Sequence, residues 1–291
     1  MTVAVVTDSA AALPADLVAR WGIGVVPMWL TVDGRPELEG TRPLDELLTR
    51  PDILTSAPAP GEFATAIAAA RRRADAVVVC TIAASMSATH EAARMGAAPF
   101  GDHVRVVDTG SAAGGEALVV LAAARAAAAG AAVDAVAERA RQVAARVRLV
   151  ATLPSLDHLV RGGRVPGVAG WAGKKLGINP LFEFRAGKVH RLRPALSPEA
   201  AADRMIARVA RDRVPSGCLH VACLHALARP VAEALLARLD GLDGPDPAAG
   251  LDGVDGPAPI EAFVGGFGPV MVVHTGPGLA GIAWWWEDGP V

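Results

Sequence analysis

The alternation of short β-branched runs with helix-patterned stretches restricts the fold of this chain more than any other feature. In the first half, residues 3–7, 24–32, 76–82 and 104–107 are rich in Val, Ile and Thr and are bounded by turn residues, as strands are. Between them, residues 14–21, 44–49, 61–73, 87–95 and 111–129 carry helical spacing. A helix between successive strands returns the chain to the same end of the sheet, so the strands pair in parallel with helices on both faces. A helix at 133–146 leads into a second cycle. Strands at 148–152, 181–185 and 188–192, a helix at 198–211, a strand at 219–224 and a helix at 230–239 follow, with closing strands at 260–265, 270–274 and 281–286. This half reads as a mixed sheet with antiparallel neighbours. The expectation is an α/β protein of two domains, 1–148 and 149–291. The stretch 241–259 repeats Asp-Gly and Pro with almost no large apolar residue, and is expected to be a flexible loop because it buries too little surface to offset its ordering entropy.

Composition narrows the function classes. The 291 residues carry a formal charge of −2, with acids and bases scattered and no basic stripe to neutralise phosphates, so nucleic acid is not an expected partner. The longest apolar run, 117–133, is mostly Ala and is broken by Arg125 and Gly130, unlike a spanning helix of about 20 strongly apolar residues. MTVAVVTDSA at the start lacks the basic and apolar regions of a secretory signal, which points to the cytoplasm. Three cysteines, Cys80, Cys218 and Cys223, all in apolar runs, read as buried thiols of a reducing compartment.

Several motifs invite a reading and fail it. Gly276, Gly278 and Gly281 match GxGxxG, but only ten residues follow Gly281, too few for the helix, strand and ribose-binding acid of a dinucleotide site. Gly173-Lys174 suggests a phosphate loop, yet Lys175 stands where Ser or Thr must meet magnesium. No HExxH, CxxC or clustered His and carboxylate spacing supports a metal, and no cofactor is expected. GxSxG is absent too. Ser87 and His274 could still form a nucleophile and base, which keeps an acyl-ester hydrolase as the alternative, beside a non-catalytic regulatory module that binds protein.

Hydroxyls gather at two places. Thr55 and Ser56 precede a proline-rich turn into a helix, where capping is the plain explanation. Ser85, Ser87 and Thr89 follow the strand ending at Ile82, where a parallel sheet binds ligands and a helix N-terminus suits a carboxylate as well as a phosphate. Capping accounts for one of these three hydroxyls. His274 closes an apolar run beside Gly276, Pro277 and Gly278, which allow close approach by a backbone or ligand. Arg161 and Arg164 flank Gly162 and Gly163, and Arg193 follows a later strand.

Seven segments in order then resemble the DegV family of fatty-acid-binding proteins, acyl carriers of bacterial fatty acid kinase: VTDSAA (6–11), TSAPAPGEF (55–63), SMSATHEAA (85–93), VVDTGSAAGG (106–115), LVRGGRV (159–165), INPLFEFRAGKV (178–189) and VVHTGPGLAGIAWW (272–285). The resemblance implies a two-domain fold clamping one long-chain fatty acid between the domains. It implies that Thr55, Ser87 and His274 hold the carboxylate. Ser56, Thr89, Gly163, Arg164 and Arg193 would support the headgroup or dock a kinase partner. The implied protein is a bacterial lipid-binding carrier and not an enzyme, with catalysis in that partner. Ala57, Ala88 and His90 depart from the family's usual Gln, Gly and Tyr, and Ala88 would be strained if its position needs positive φ.

Overall fold

The structure is a computed structural model and describes residues 1–48, 50, 52–165, 178–215, 217–239 and 261–288. In the first half, β1 (Val3–Asp8), β2 (Gly24–Val26), β6 (Ala76–Thr81) and β7 (Val104–Asp108) form a parallel sheet in the order β2-β1-β6-β7. β6 reads AVVVCT with every residue buried, because helices cover both faces of an inner parallel strand. One face carries α3 (Pro60–Arg71) and α4 (Thr89–Ala97), whose Phe63, Ile67 and Ala93 pack on Val6, Val77 and Val79. The other face carries α5 (Ala113–Ala128) and α6 (Val133–Arg146).

The second sheet runs β10-β9-β8-β13-β11-β12, with β8 (Arg148–Thr152), β9 (Leu181–Arg185), β10 (Lys188–Arg191), β11 (Cys218–His225), β12 (Glu261–Gly266) and β13 (Ala280–Glu287). All its pairs are antiparallel except β11 with β12. Its outer face is covered by α8 (Pro198–Arg211) and α9 (Arg229–Ala237), through Met205, Val209, Ala232 and Leu235. Its inner face, with Leu149, Ala222, Leu224 and Trp285, joins the same core as α5 and α6. The layer order is therefore helices, parallel sheet, helices α5 and α6, mixed sheet, helices. This explains the alanine-rich run at 117–133: α5 touches both β1 and β11, so residues 113–124 are all buried. Small residues permit the approach, since a Cβ on Gly114 would lie 2.7 Å from Leu224 and 2.8 Å from Ala222.

A third, small antiparallel sheet, β4-β3-β5, adds β3 (Trp29–Val32), β4 (Arg35–Leu38) and β5 (Leu54–Ser56). It sits with α2 (Leu44–Leu48), α7 (Asp157–Gly162) and α10 (Pro269–Thr275). α1 (Ala15–Trp21) packs against α5.

Four sequence expectations need correction. The single strand at 24–32 is two strands in different sheets, parted at Pro27, which lacks the ladder's N–H. The strand at 270–274 is helix α10, with Gly268 before it and Pro269 in its first turn. Ala88 has φ −69, so it bears no left-handed strain. Cys80 and Cys223 are buried, but Cys218 is only half-buried, and none of the three forms a disulfide. The loop 241–259 and the Gly173-Lys174 pair lie outside the described residues. No helix among the described residues is long and apolar enough to cross a membrane.

Candidate functional site

The parallel sheet directs its carboxyl ends toward the small sheet and α10. The chain leaves β1 for β2 on one side and returns to β6 on the other, so a crevice opens where the two connections part. Asp8, the last residue of β1, bridges that point: its carboxyl accepts the Ala10 N–H at 3.0 Å and the Ile82 N–H at 2.9 Å. Burial pushes Asp8 up to about 6. Burial, reinforced by the nearby Asp8, also holds Glu116 well above the usual carboxylate range.

A cavity of about 250 Å³ lies past the end of β6. Its polar lining includes Thr55, Ser56, Ser87 and His274, and its apolar lining includes Met28, Ile82, Met86, Leu159, Val165, Val270 and Met271. A second cavity of about 270 Å³, lined by Leu47, Ile53, His158 and Arg161 among others, shares Thr55, Arg164 and His274 with the first. Together they fall within the roughly 300–1,000 Å³ typical of small-molecule sites.

Three elements distant in sequence supply the polar groups. β5 presents Thr55, paired in register with Leu30 of β3. The turn from β6 into α4 presents Ser87, whose hydroxyl lies 2.7 Å from that of the buried Thr89 and accepts the Thr89 N–H at 3.3 Å. α10 presents His274, with Nε2 2.7 Å from Thr55 Oγ1. Burial, followed by the charge of Arg164, lowers the His274 imidazole to about 4, so it is neutral at physiological pH. Its Nδ1 is buried without a hydrogen-bond partner and faces Gly162, where a Cβ would approach to 2.7 Å. A buried orphan N–H costs more than an orphan lone pair, which assigns the proton to Nε2. Nε2–H then donates to Thr55 Oγ1, and the Thr55 hydroxyl hydrogen is left to donate to a ligand.

The sequence-predicted residues divide clearly. Thr55, Ser56, Ser87, Arg164 and His274 line one cavity, and Thr89 holds Ser87 from behind. Gly163 lines neither cavity; at φ +64 it caps α7, donating to the Leu159 carbonyl. Arg193 lines neither cavity, and its carbonyl accepts from Arg204. Ser87 and His274 face the same space but bond elsewhere, Ser87 to Thr89 and His274 to Thr55, so the nucleophile–base pairing of the hydrolase reading is not formed. Gly276 ends α10 rather than opening a helix, which removes the structural context of a dinucleotide fingerprint.

Sequence reasoning missed the support under α10. Glu39, after β4, accepts the Val270 N–H at 2.9 Å and receives the Ser9 hydroxyl, while Ser9 Oγ accepts the Met28 N–H at 3.0 Å. Gly268 admits the carboxylate, because a Cβ there would collide with Glu39 Oε1. Ser9 falls inside the VTDSAA segment and could have been suspected. Glu39 gave no signal, standing 231 residues from its partner.

Comparisons with known proteins agree with this architecture. A family model described as "Uncharacterised protein, DegV family" matches residues 2–287. A DegV domain-containing protein of Mycobacterium tuberculosis is 34% identical over 287 residues, covering 97% of this chain and 96% of its own. One from Streptomyces coelicolor is 35% identical, covering 96% and 97%. Among solved structures, a fatty-acid-binding DegV family protein from Thermus thermophilus superposes with a TM-score of 0.86 at 26% identity, covering 98% of this chain and 99% of its own. DegV from Bacillus subtilis superposes at 0.79 with 21% identity over 99% and 100%, a likeness of fold.

Proposed function

The chain belongs to the DegV family, and from that premise we propose that it binds a long-chain fatty acid and presents the carboxyl group to a partner fatty acid kinase. The observation that carries the reading is the meeting of Thr55, Ser87 and a neutral His274 on the wall of an otherwise apolar cavity. The fatty-acid binding of the Thermus thermophilus relative supports it.

Each part has a physical role. Burial of each methylene contributes ~0.8 kcal/mol, so the tail of a sixteen-carbon acid supplies on the order of 11 kcal/mol before association costs. The tail therefore gives affinity, and the polar wall gives orientation. The Thr55 hydroxyl, ordered by His274 Nε2–H, donates to one carboxylate oxygen and Ser87 to the other. Hydrogen bonds to the charged form keep the acid ionised despite its burial. Arg164 is exposed and lines both cavities, so it can face the headgroup and a docked protein together. Phosphoryl transfer requires magnesium and nucleotide machinery, which this reading assigns to the partner.

Native mass spectrometry of the purified protein, followed by extraction and identification of lipid, tests the reading. One fatty acid per chain is expected. Hydrogen bonds to a charged group contribute about 1.5–3 kcal/mol, so Thr55→Ala should weaken binding roughly tenfold to hundredfold, and Thr55→Ala/Ser87→Ala further. An empty wild-type protein that also takes up no fatty acid in solution would reject the proposal.

A further inference from the structure

The chain has six methionines, and three of them, Met28, Met86 and Met271, line the 250 Å³ cavity. Each stands beside a residue of the polar wall. Met86 immediately precedes Ser87, and Met271 lies one helical turn before His274 on α10. Met28 immediately precedes β3, whose Leu30 pairs with Thr55. The core elsewhere is built mainly from Val, Ala and Leu, so the concentration of unbranched thioether side chains in one cavity is specific to this site.

The backbones beneath these side chains are fixed. The Met28 N–H is held by Ser9 Oγ at 3.0 Å, the Met86 N–H by the Ala83 carbonyl at 2.9 Å, and the Met271 carbonyl accepts from Thr275 Oγ1 at 3.0 Å. Methionine has three rotatable side-chain bonds and no branch, so its side chain repacks around differently shaped neighbours at little cost. The three thioethers all line this cavity and none lines the adjoining one. Of its other apolar lining residues, the β-branched Ile82, Val165 and Val270 are stiff, so the methionines are the side chains best able to adapt.

We infer that Met28, Met86 and Met271 make the apolar lining of this cavity deformable, so that the protein accepts acyl chains of varied length and shape against one fixed set of polar groups. The inference rests on the proposed fatty-acid site and specifies its ligand class as broad. A stiff apolar pocket discriminates one methylene by roughly 10- to 200-fold. A deformable one should spread saturated and cis-unsaturated acids of 14 to 18 carbons over no more than about tenfold.

The experiment measures affinities for that panel in the wild type and in Met28→Leu/Met86→Leu/Met271→Leu, a near volume-conserving change, with circular dichroism reporting the fold. The single variant Met86→Leu, in a half-buried turn, carries the same test if the triple variant does not fold. The expected result is a narrow spread in the wild type that widens several-fold or more in the folded variant while its best ligand still binds. A wild type that prefers one chain by more than about a hundredfold overturns the inference and leaves the fatty-acid site standing. An unchanged spread in the folded variants also overturns it. Failure of every acid to bind the wild type overturns the underlying reading as well.

Discussion

Burial, with Arg164 facing it, holds the His274 imidazole at about 4, against about 6.5 for a histidine in the unfolded chain. Between those values the unfolded chain binds a proton that the folded protein refuses. The contribution is therefore fully present above pH 6.5 and is lost as the pH falls toward 4, by on the order of 3 kcal/mol. Asp8 behaves oppositely. Its folded pKa of about 6 exceeds the ordinary 3.8, so its contribution is present below 3.8 and is lost as the pH rises through 6. Comparing wild type with His274→Asn by urea denaturation isolates the histidine. The stability difference between the two should be constant above pH 6.5 and should shift against the wild type as the pH drops from 6.5 to 4. A pH-independent difference would mean that His274 is not held neutral. The same neutrality lets Nε2–H order the Thr55 hydroxyl without placing a fixed positive charge on the cavity wall.

At the scale of elements, α7 and α10 pack so closely that one hydrogen atom decides the site. Gly162 is the last residue of α7 and lies against His274 Nδ1, while Gly163 is the left-handed cap beyond it. Gly162→Ala adds a methyl group 2.7 Å from the ring nitrogen, in a backbone conformation that Ala favours. It should leave thermal stability nearly unchanged while it displaces His274 and weakens ligand binding at least tenfold. Gly163→Ala should do the reverse. At φ +64 it costs about 1 kcal/mol of stability, yet nothing lies within 4 Å of the added carbon, so binding should stay near wild type. Calorimetric melting and ligand titration of both variants check the pair. Equal effects of the two variants on binding would place the headgroup site elsewhere. α10 also shows why local pattern failed there. Its β-branched run reads as a strand, but Pro269 at the first turn, Gly276 at the end and the Glu39 carboxylate on the Val270 N–H together select the helix.

The whole molecule is organised around the α5–α6 layer, which both sheets bury. Residues 1–148 alone would expose the α5 face that Ala222, Leu224 and Trp285 cover. That fragment should aggregate or remain partly unfolded, as seen by dye binding and light scattering, whereas the full chain melts in one transition. A monomeric, cooperatively folding fragment would contradict the shared core. The polar wall joins β5, the β6–α4 turn and α10, so it exists only when the parallel sheet, the small sheet and the α7–α10 pair are assembled together.

The sequence by itself determined the alternation that makes a parallel sheet, the mixed character of the second half and the hydroxyl excess at Thr55 and Ser87. These are local signals: strand and helix periods repeat every few residues, and capping uses up only one hydroxyl per helix. The tertiary structure alone decided that His274 stands on a helix, that its Nε2 meets the Thr55 hydroxyl, that Gly162 rather than Gly163 guards the ring, and that Glu39 anchors α10. Each of these depends on a contact between residues far apart in the chain, and a contact of that kind leaves no period in the sequence. Arg193 marks the same limit from the other side: the resemblance gave it to headgroup support or partner docking, and packing sets it outside both cavities. Periodicity fixes which face of an element is buried, while the depth and electrostatics of a site come from what the other elements bring against that face.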